Sequence, residues 1–494
     1  MILRSRACGV LLHPTSLPSP YGVGDLGPAA RGFADALAGA RQSWWQMLPI
    51  GPVGLGDSPY SALSSFAGNP LLVSLDDLAA DGLLAEIPRR NWPVGRAAYP
   101  EAVPFHEEQL RRACASFADT PGFEAFAARN AAWLPDWTLF RALRDAHGGA
   151  PWTTWEEGVR ERAPAALARA FRTLAAEVRV HAFVQYAFDR QWAALRARCR
   201  AGGVGLLGDV PFYVPLDSAD VWAHQDEFDL GRRGRPLHVA GVPPDEYSKD
   251  GQLWGFPLYR WDVMRARGWS WWLARLRGAL ARFDAVRIDH FIGFHRAWAV
   301  PARLRHALRG RWIAGPGGEI LDRLRADTAS LELVAEDLGV MTPEVAALRD
   351  RLDLPGIRVL QFGFDWDEAQ VHLPHNFPQR SLAMTGTHDN DTTAGWYAAI
   401  AEPGTRDWVH RYLKTDGRDI HWTMIRAVLE SRADTAVIPA QDLLGLGGEA
   451  RMNRPGVALG NWIWRLAPGQ LGSDALGHLG NLAAATGRIR PIVA

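Results

Sequence analysis

An arginine and an aspartate lie two residues apart in the segment Asp284-Ala-Val-Arg-Ile-Asp-His290. In a β-strand, side chains two residues apart point to the same face, so Arg287 and Asp289 are expected side by side. A guanidinium beside an aspartate lowers the pKa of the carboxyl and keeps it an anion that can attack an electrophilic carbon. The same spacing also fits a buried structural ion pair, and that alternative stays open.

A second acid, Glu336, follows the apolar run Leu333-Val-Ala335. Burial among apolar residues raises the pKa of a carboxyl, which is the condition for a general acid near neutral pH. The alternative is a glutamate that caps the following helix. Asp289 and Glu336 are therefore a candidate nucleophile and a candidate general acid.

A third polar cluster, Thr385-Gly-Thr-His-Asp-Asn-Asp391, also follows a short apolar run. His388, Asp389 and Asp391 could bind a metal, but adjacent ligands on one loop without a distant His or Cys are weak evidence for such a site. Asp209 ends another apolar run, where it could be only a turn residue. Acids at four such positions argue more strongly together, because active sites form at the carboxyl ends of barrel strands.

Eight short apolar runs, each followed by a polar residue, Gly or Pro, predict buried parallel strands. They cover residues 9–12, 44–48, 204–207, 285–288, 331–335, 357–362, 381–384 and 435–438. Helical patterns lie between them, and this alternation predicts an α/β fold, a closed (β/α)8 TIM barrel.

The intervals between the strands predict how the chain is organised. We expect one catalytic barrel over residues 1–494, with a mainly helical insertion over 75–165 after the second strand. A Pro- and aromatic-rich, loop-rich insertion over 210–280 is expected to cover the active site between strands three and four. The clearest helical pattern runs over 164–199 and ends at two glycines.

Composition excludes several partners. The chain has 54 basic and 54 acidic side chains, so no net charge attracts nucleic acid or an anionic membrane. Its three cysteines are far apart and lack metal-ligand spacing, which disfavours a disulfide framework or a zinc site. The longest uncharged stretches are broken by prolines, and no cleavable leader is evident, so we expect a cytoplasmic protein.

Further motifs are spread over nearly the whole chain. They are Leu12-His-Pro-Thr-Ser-Leu-Pro18, Gly56-Asp-Ser-Pro-Tyr60, Phe66-Ala-Gly-Asn-Pro70, Ala240-Gly-Val-Pro-Pro-Asp245, Trp254 with Pro257-Leu-Tyr-Arg-Trp261, Glu449-Ala-Arg-Met-Asn453 and Gly460-Asn-Trp462. In order, the four polar segments resemble the signature segments of the α-amylase superfamily of retaining glycosidases and transglycosylases. With the further motifs, the chain is similar to the 4-α-glucanotransferases called amylomaltases or disproportionating enzymes.

The resemblance implies that Asp289 is the nucleophile, Glu336 the acid/base and Asp389 the transition-state stabiliser. A retaining reaction needs the first two carboxyl groups about 5–5.5 Å apart. The resemblance also implies a set of residues around or supporting the reacting sugar, namely Tyr60, Asp209, Trp254, Arg287, His290, His388 and Asn461. It implies neither a metal nor an organic cofactor.

The implied activity moves an α-1,4-glucan segment to the 4-hydroxyl of glucose or of another glucan, with maltooligosaccharides as substrates. The chain ends about 55 residues after the last predicted strand, which leaves no room for the C-terminal β-sandwich of true amylases and favours the transferases. The alternative enzyme is a retaining α-glucan hydrolase with water as acceptor. A catalytically silent carbohydrate-binding protein would lack at least one carboxylate, and none is missing. The sequence leaves the oligomeric state open.

Two positions depart from the family pattern. The chain has Glu246-Tyr247 where the family commonly has Tyr-Phe in a loop that covers the donor sugar, and Phe256 replaces a frequent asparagine. We expect Glu246 and Tyr247 to form part of a lid that seals less well against water than an aromatic pair. The departures leave the three carboxylates untouched and bear on acceptor and chain-length preference.

Overall fold

The computed structural model describes residues 2–244, 249–328, 331–339 and 341–489. The strands within these residues are β1 (Ala7–Leu11), β2 (Trp44–Gln46), β3 (Gly205–Val210), β4 (His238–Val242), β5 (Gln252–Pro257), β6 (Ala285–Ile288), β7 (Arg296–Pro301), β8 (Arg311–Ala314), β9 (Leu333–Ala335), β10 (Gly356–Val359), β11 (Ser381–Met384) and β12 (Thr435–Pro439).

Eight of these strands close into a barrel in the order β1, β12, β11, β10, β9, β6, β3, β2. All neighbouring pairs are parallel. The barrel strands are the eight predicted runs with bounds shifted by at most three residues, so the predicted TIM barrel is confirmed. Strands β1 and β2 approach closely at Gly9, where a Cβ would lie 2.4 Å from Cβ of Trp44, so no larger residue fits.

The α-helices connect the strands and surround the barrel. They are α1 (Pro28–Gly39), α2 (Leu75–Ala80), α3 (Tyr99–Ser116), α4 (Pro121–Arg129), α5 (Leu134–Ala146), α6 (Glu157–Arg160), α7 (Pro164–Thr173), α8 (Ala175–Ala201), α9 (Ala219–Ala223), α10 (Trp261–Ala266), α11 (Ser270–Arg282), α12 (Glu319–Ala326), α13 (Pro343–Arg351), α14 (Thr393–Ala399), α15 (Pro403–Leu413), α16 (Ile420–Glu430), α17 (Ala440–Leu443) and α18 (Ser473–Ala485). None of the helices in the described part of the chain is long and apolar enough to cross a membrane.

The prediction of a single helix over 164–199 is wrong, because the structure has two helices there, α7 and α8. The chain bends at Leu174, whose φ of −104° and ψ of 21° separate α7 from α8. Helix α7 packs on α5 and α6, whereas α8 also packs on α1, α3, α4 and the barrel strand β3. The two halves follow different partners, which a continuous helical pattern does not reveal. The predicted stop is present, because Gly203 adopts the left-handed φ of 74° after α8.

A second sheet, which the sequence analysis did not predict, lies beside the barrel. It is antiparallel in the order β5, β4, β7, β8, with β4 and β5 from the β3–β6 connection and β7 and β8 from the β6–β9 connection. Strands β5 and β8 are mostly partly exposed or exposed, unlike the buried barrel strands, whereas β7 has a four-residue apolar run, Ala297–Val300, that the sequence analysis did not assign to a strand. No strand follows β12 within residues 440–489.

A buried arginine closes the amino-terminal end of the barrel. The side chain of Arg488 is fully buried. Its guanidinium donates hydrogen bonds of 2.7 to 3.3 Å to the carbonyls of Ala7, Leu429, Ser431 and Asp434. Burial lowers the pKa of this arginine to about 10, which still leaves it charged at neutral pH. It therefore ties the starts of β1 and β12 to the chain after α18.

Replacing Arg488 with Ala should destabilise the protein by about 3–5 kcal/mol, because it removes one donor from each of four carbonyls and opens a cavity in the place of a large buried side chain. The midpoint of denaturant unfolding measures this. Arg418→Ala is the control, since that side chain is 87% exposed, and its effect should stay within about 0.5 kcal/mol. Equal midpoints for the two variants would contradict the structural role of Arg488.

Candidate active site

Three of the predicted acids lie at the carboxyl ends of adjacent barrel strands. Asp209 lies near the end of β3, Asp289 directly follows β6 and Glu336 directly follows β9. Strand β6 lies between β3 and β9. The N–H of Asp289 donates to the carbonyl of Val210 at 3.0 Å, and the N–H of Glu336 donates to the carbonyl of Ile288 at 3.0 Å. Strand pairing thus continues to the acids themselves and fixes their relative positions.

Arg287, on β6, lies between two carboxylates. Its guanidinium donates to Asp209 at 2.7 Å and pairs with Asp289 at 2.9 Å. Burial alone lowers the pKa of Arg287, but the two neighbouring acids outweigh burial and hold it well above its usual value. Burial raises the pKa of Asp209 to about 7 against the opposing effect of Arg287. The same-face pair predicted from the sequence is present, with a second acid on its other side.

Tyr60 and His388 extend this network toward the fourth acid. The hydroxyl of Tyr60 donates to the carboxylate of Asp209 at 2.7 Å. The ring of Tyr60 stacks on that of His388, with centroids 4.9 Å apart and planes inclined by 15°. Burial lowers the pKa of His388, which favours the neutral imidazole. These two stacked rings lie beside the acids.

Glu336 accepts two backbone hydrogen bonds. The N–H groups of His290 and Leu338 each donate to one of its carboxyl oxygens at 2.8 Å. Burial, assisted by the charge of Asp289 and opposed by that of Arg287, raises the pKa of Glu336 to about 7. A carboxyl with such a pKa holds a proton in slightly acidic to neutral solution and can deliver it to a leaving group.

His290 reaches Glu336 through an unusual backbone conformation. Its φ of 49° lies in the left-handed region, which residues other than Gly rarely adopt. This conformation directs the N–H of His290 at Glu336. Its ring lies edge-on to that of Trp254, with centroids 4.7 Å apart, and burial lowers the pKa of its imidazole to about 4. His290 is therefore neutral at pH 7 and adds no charge beside Arg287.

Asp389, on the loop after β11, is held by two residues from the part of the chain that follows β12. The amide of Asn453 donates to its carboxylate at 2.6 Å, and Arg451 donates to its carbonyl at 2.6 Å. Nε2 of His388 lies 3.3 Å from the same carboxylate. The side chain of Asp389 is nevertheless 45% exposed, so a ligand entering from solvent can reach it.

Asn461 does not present a free amide to these acids. Its side chain binds backbone atoms of Arg454 and Val457 at 2.9 and 2.7 Å and so closes its own loop. That it contacts substrate stays a prediction. Asn453 and Trp462, for which no role was predicted, do reach the site, because Trp462 lies 5.8 Å from the ring of His388. Both belong to motifs that carry the family resemblance, and that membership is the sequence feature from which their place in the site could have been predicted.

The predicted lid residues Glu246 and Tyr247 lie outside the described residues. The strands β4 and β5 that lead into and out of that hairpin are described, and β5 carries Trp254. Phe256, the other departure from the family pattern, lies beside Tyr213 with ring centroids 6.5 Å apart. The ring of Tyr213 also lies 6.1 Å from that of Trp254, so Phe256 and Trp254 pack on the same tyrosine.

The residues considered as metal ligands on the 385–391 loop do not converge on one point. Across the described chain, the group of carboxylate and imidazole atoms close enough to hold an ion is formed by Asp145, Glu177 and His181. Arg111 pairs with both of these carboxylates. A cation at this cluster would meet an arginine, so the cluster is an ion-pair network.

These observations define a class of enzyme. A TIM barrel carries, at the carboxyl ends of its strands, an arginine-paired aspartate, a glutamate with a raised pKa and a partly exposed third acid. One carboxylate able to attack and one carboxyl able to donate a proton are the groups with which glycosidases and transglycosidases act on sugars.

Comparison with known proteins identifies the family. Residues 12–470 match the family model of 4-alpha-glucanotransferases, glycoside hydrolase family 77. The chain is 47% identical to a 4-alpha-glucanotransferase of Thermus thermophilus and 43% identical to one of Synechocystis, covering 98–99% of this chain and 99% of each relative. It superposes on an amylomaltase from Streptococcus agalactiae in complex with acarbose with a TM-score of 0.94, at 31% identity, over 98% of this chain and 100% of the other.

The chain therefore belongs to the 4-alpha-glucanotransferase family, and it transfers α-1,4-linked glucan segments by a retaining reaction. This confirms the resemblance found in the sequence and the transferase activity that it implied.

The raised pKa of Glu336 predicts the alkaline limb of the pH profile. With maltotriose as donor, kcat/KM should fall as the pH rises through about 7, because the carboxyl of Glu336 then loses the proton that it can deliver to a leaving group. With α-glucosyl fluoride, whose leaving group needs no proton, the limb should weaken or disappear. Asp209 also has a pKa of about 7. An identical limb for both donors would therefore assign the titration to Asp209 instead of Glu336.

Proposed function

We propose that Asp289 is the nucleophile of this transferase, Glu336 its general acid and base, and Asp389 the acid that stabilises the transition state. The observation that carries this assignment is the difference between the two strand-end acids. Asp289 forms an ion pair with Arg287 at 2.9 Å, whereas Glu336 accepts two backbone hydrogen bonds and has a pKa of about 7. A retaining reaction needs one carboxylate and one protonated carboxyl.

In the first step, an oxygen of Asp289 forms a bond to the anomeric carbon while the bond from that carbon to the glycosidic oxygen breaks. The departing oxygen takes the proton of Glu336. In the second step, the 4-hydroxyl of an acceptor glucan attacks the same carbon, the ester to Asp289 breaks, and Glu336 takes the hydroxyl proton back. Two inversions retain the α configuration, and all groups on the protein return to their initial states.

The remaining residues bind and orient the sugar. The half-exposed carboxylate of Asp389 can interact with hydroxyls of a distorted sugar ring and with the positive charge that develops on it. Flat apolar surfaces for sugar packing are offered by the stacked rings of Tyr60 and His388 and by the ring of Trp254. Asp209 supports the site through Arg287. In this proposal Asn461 contacts substrate only if its loop rearranges.

The proposed partners are α-1,4-glucans, maltooligosaccharides and glucose, and the binding of acarbose by the Streptococcus agalactiae relative supports an oligosaccharide ligand. We further propose that the chain works in the cytoplasm, as one catalytic barrel over residues 1–494. In it, the 75–165 insertion packs around the barrel and the 210–280 insertion covers the acceptor site with the hairpin that contains Glu246 and Tyr247.

Products of maltotriose separate transfer from hydrolysis. Transfer should yield glucose and maltopentaose, then longer chains, while the concentration of reducing ends stays constant, because each bond broken is replaced by a bond formed. Chromatography of the products together with a reducing-end assay measures both quantities. A steady increase in reducing ends that matches the rate of maltotriose consumption would favour the hydrolase instead.

Substitutions test the two main roles. Asp289→Asn keeps the size of the side chain but cannot form the ester, so kcat should fall by roughly 10⁴-fold with every donor. Glu336→Gln should slow maltotriose turnover by roughly 10²–10⁴-fold and largely spare ester formation from α-glucosyl fluoride. Asp35→Asn, at an exposed acid on helix α1, is the control. Equal losses for both donors in Glu336→Gln would contradict its role as the acid.

A further inference from the structure

Two segments of this electrically neutral chain are strongly basic. Residues 230–244 and 290–318 contain eight arginines and neither Asp nor Glu. Elsewhere most ion pairs of the described chain join an arginine to an acid, as Arg265 does with Glu319. A local excess of this size in a balanced chain needs a physical account, because unneutralised like charges repel each other.

The fold brings the two segments together. Strand β4 pairs with β7 so that His238 lies opposite Pro301, and the N–H of Ala302 donates to the carbonyl of Leu237 at 3.0 Å. The loop before β4 and the loop after β7 therefore start from the same end of these two neighbouring strands. We call the arginines of these two loops the arginine surface.

The arginine surface is exposed, and the described chain places no acid within ion-pair distance of it. Its members are Arg232, Arg233, Arg235, Arg303, Arg305 and Arg309, all of them exposed. Within the described chain, none of the six makes an ion pair or a side-chain hydrogen bond. Six guanidinium groups thus keep their donors available, and guanidinium binds phosphate through paired hydrogen bonds.

Apolar groups lie among these charges. Leu237, Leu308 and Trp312 are 54%, 46% and 39% exposed. The guanidinium of Arg296 lies 4.1 Å from the ring centre of Trp312, and the ring of Trp298 meets it edge-on at 5.2 Å. The indole is therefore held in place and still partly open to solvent. An exposed, oriented ring of this kind suits the apolar face of a sugar.

The arginine surface is joined to the active site by the second sheet. The N–H of Ala307, in the basic loop, donates to the carbonyl of Asp250 at 3.1 Å, at the base of the β4–β5 hairpin. The next strand, β5, carries Trp254, whose ring lies against His290. A polymer that is held on the arginine surface would thus lie beside the hairpin that leads to the acids.

We propose that the arginine surface binds an α-glucan that carries phosphate monoesters, and so holds a phosphorylated polymer next to the active site. This rests on the proposed glucan substrate. A neutral glucan would leave six guanidinium groups without partners, whereas a phosphoglucan supplies both the anion for the arginines and the sugar face for Trp312. Binding of an acidic protein or of a nucleic acid is the competing outcome of the test.

The test compares one long maltodextrin before and after phosphatase treatment. The probe is chemically phosphorylated on its hydroxymethyl groups, and its affinity is measured by calorimetry at low and at physiological salt. The unmodified protein should bind the phosphorylated form on the order of 10-fold more tightly at low salt, and the difference should shrink as salt screens the charges. Equal affinity before and after phosphatase treatment would overturn the proposal.

The variant R303S/R305S/R309S should abolish the preference for phosphate, because it removes three exposed guanidinium groups that stabilise nothing in the fold. The matched control R89S/R169S/R426S removes three exposed arginines from other surfaces and should keep the preference. Equal losses in both variants would overturn the proposal, as would polyglutamate or single-stranded DNA that competes at equal charge concentration as well as the phosphorylated probe.

Both variants should retain maltotriose disproportionation, because that small neutral donor needs only the active site. This readout separates the two proposals. Failure of the unmodified protein to disproportionate maltotriose would contradict the proposed function, whereas the affinity for the phosphorylated probe is measured without turnover.

Discussion

The active site depends on one cation placed between two buried acids. Asp209 is fully buried and Asp289 is only partly exposed, and two adjacent carboxylates in such surroundings would repel each other and favour protonation. Arg287 contacts both acids at 2.7 and 2.9 Å and compensates their charge. Glu336, one strand further along the barrel, accepts backbone hydrogen bonds instead, and burial raises its pKa to about 7. In the proposed function, the division of roles between Asp289 and Glu336 therefore follows from which of the two the guanidinium contacts.

Backbone geometry fixes the acids as firmly as their side chains do. Parallel pairing of β3, β6 and β9 carries the acids to one face of the barrel. The left-handed conformation of His290 then adds an N–H donor to Glu336, a hydrogen bond that a regular strand would not supply. Such conformations cost free energy and persist where the surrounding structure enforces them. Here the ring of Trp254 packs edge-on against the ring of His290 and supports that residue.

Much of this arrangement was predictable from the sequence, and the exceptions have physical causes. Buried parallel strands must be apolar throughout, so their runs and the acids after them stand out in the sequence. The second sheet was not predicted, because β5 and β8 are mostly partly exposed or exposed and the apolar run of β7, Ala297–Val300, was not assigned to a strand. Asn461 and Asn453 lie in neighbouring motifs and cannot be distinguished by residue type. Only the loop geometry shows that Asn461 binds its own backbone while Asn453 binds Asp389.

The exposure of the acids bears on how a transferase avoids hydrolysis. The side chain of Asp389 is 45% exposed and that of Asp289 30%, so the described residues do not by themselves close the sugar site to water. An acceptor glucan must therefore exclude water by occupying the space in front of the ester, which raises its effective concentration there. Any surface that retains a long glucan near this space increases that occupancy without changing the acids. The second sheet has the geometry for this, because it carries Trp254 on β5 and, through β4 and β7, leads to the outer edge of the molecule.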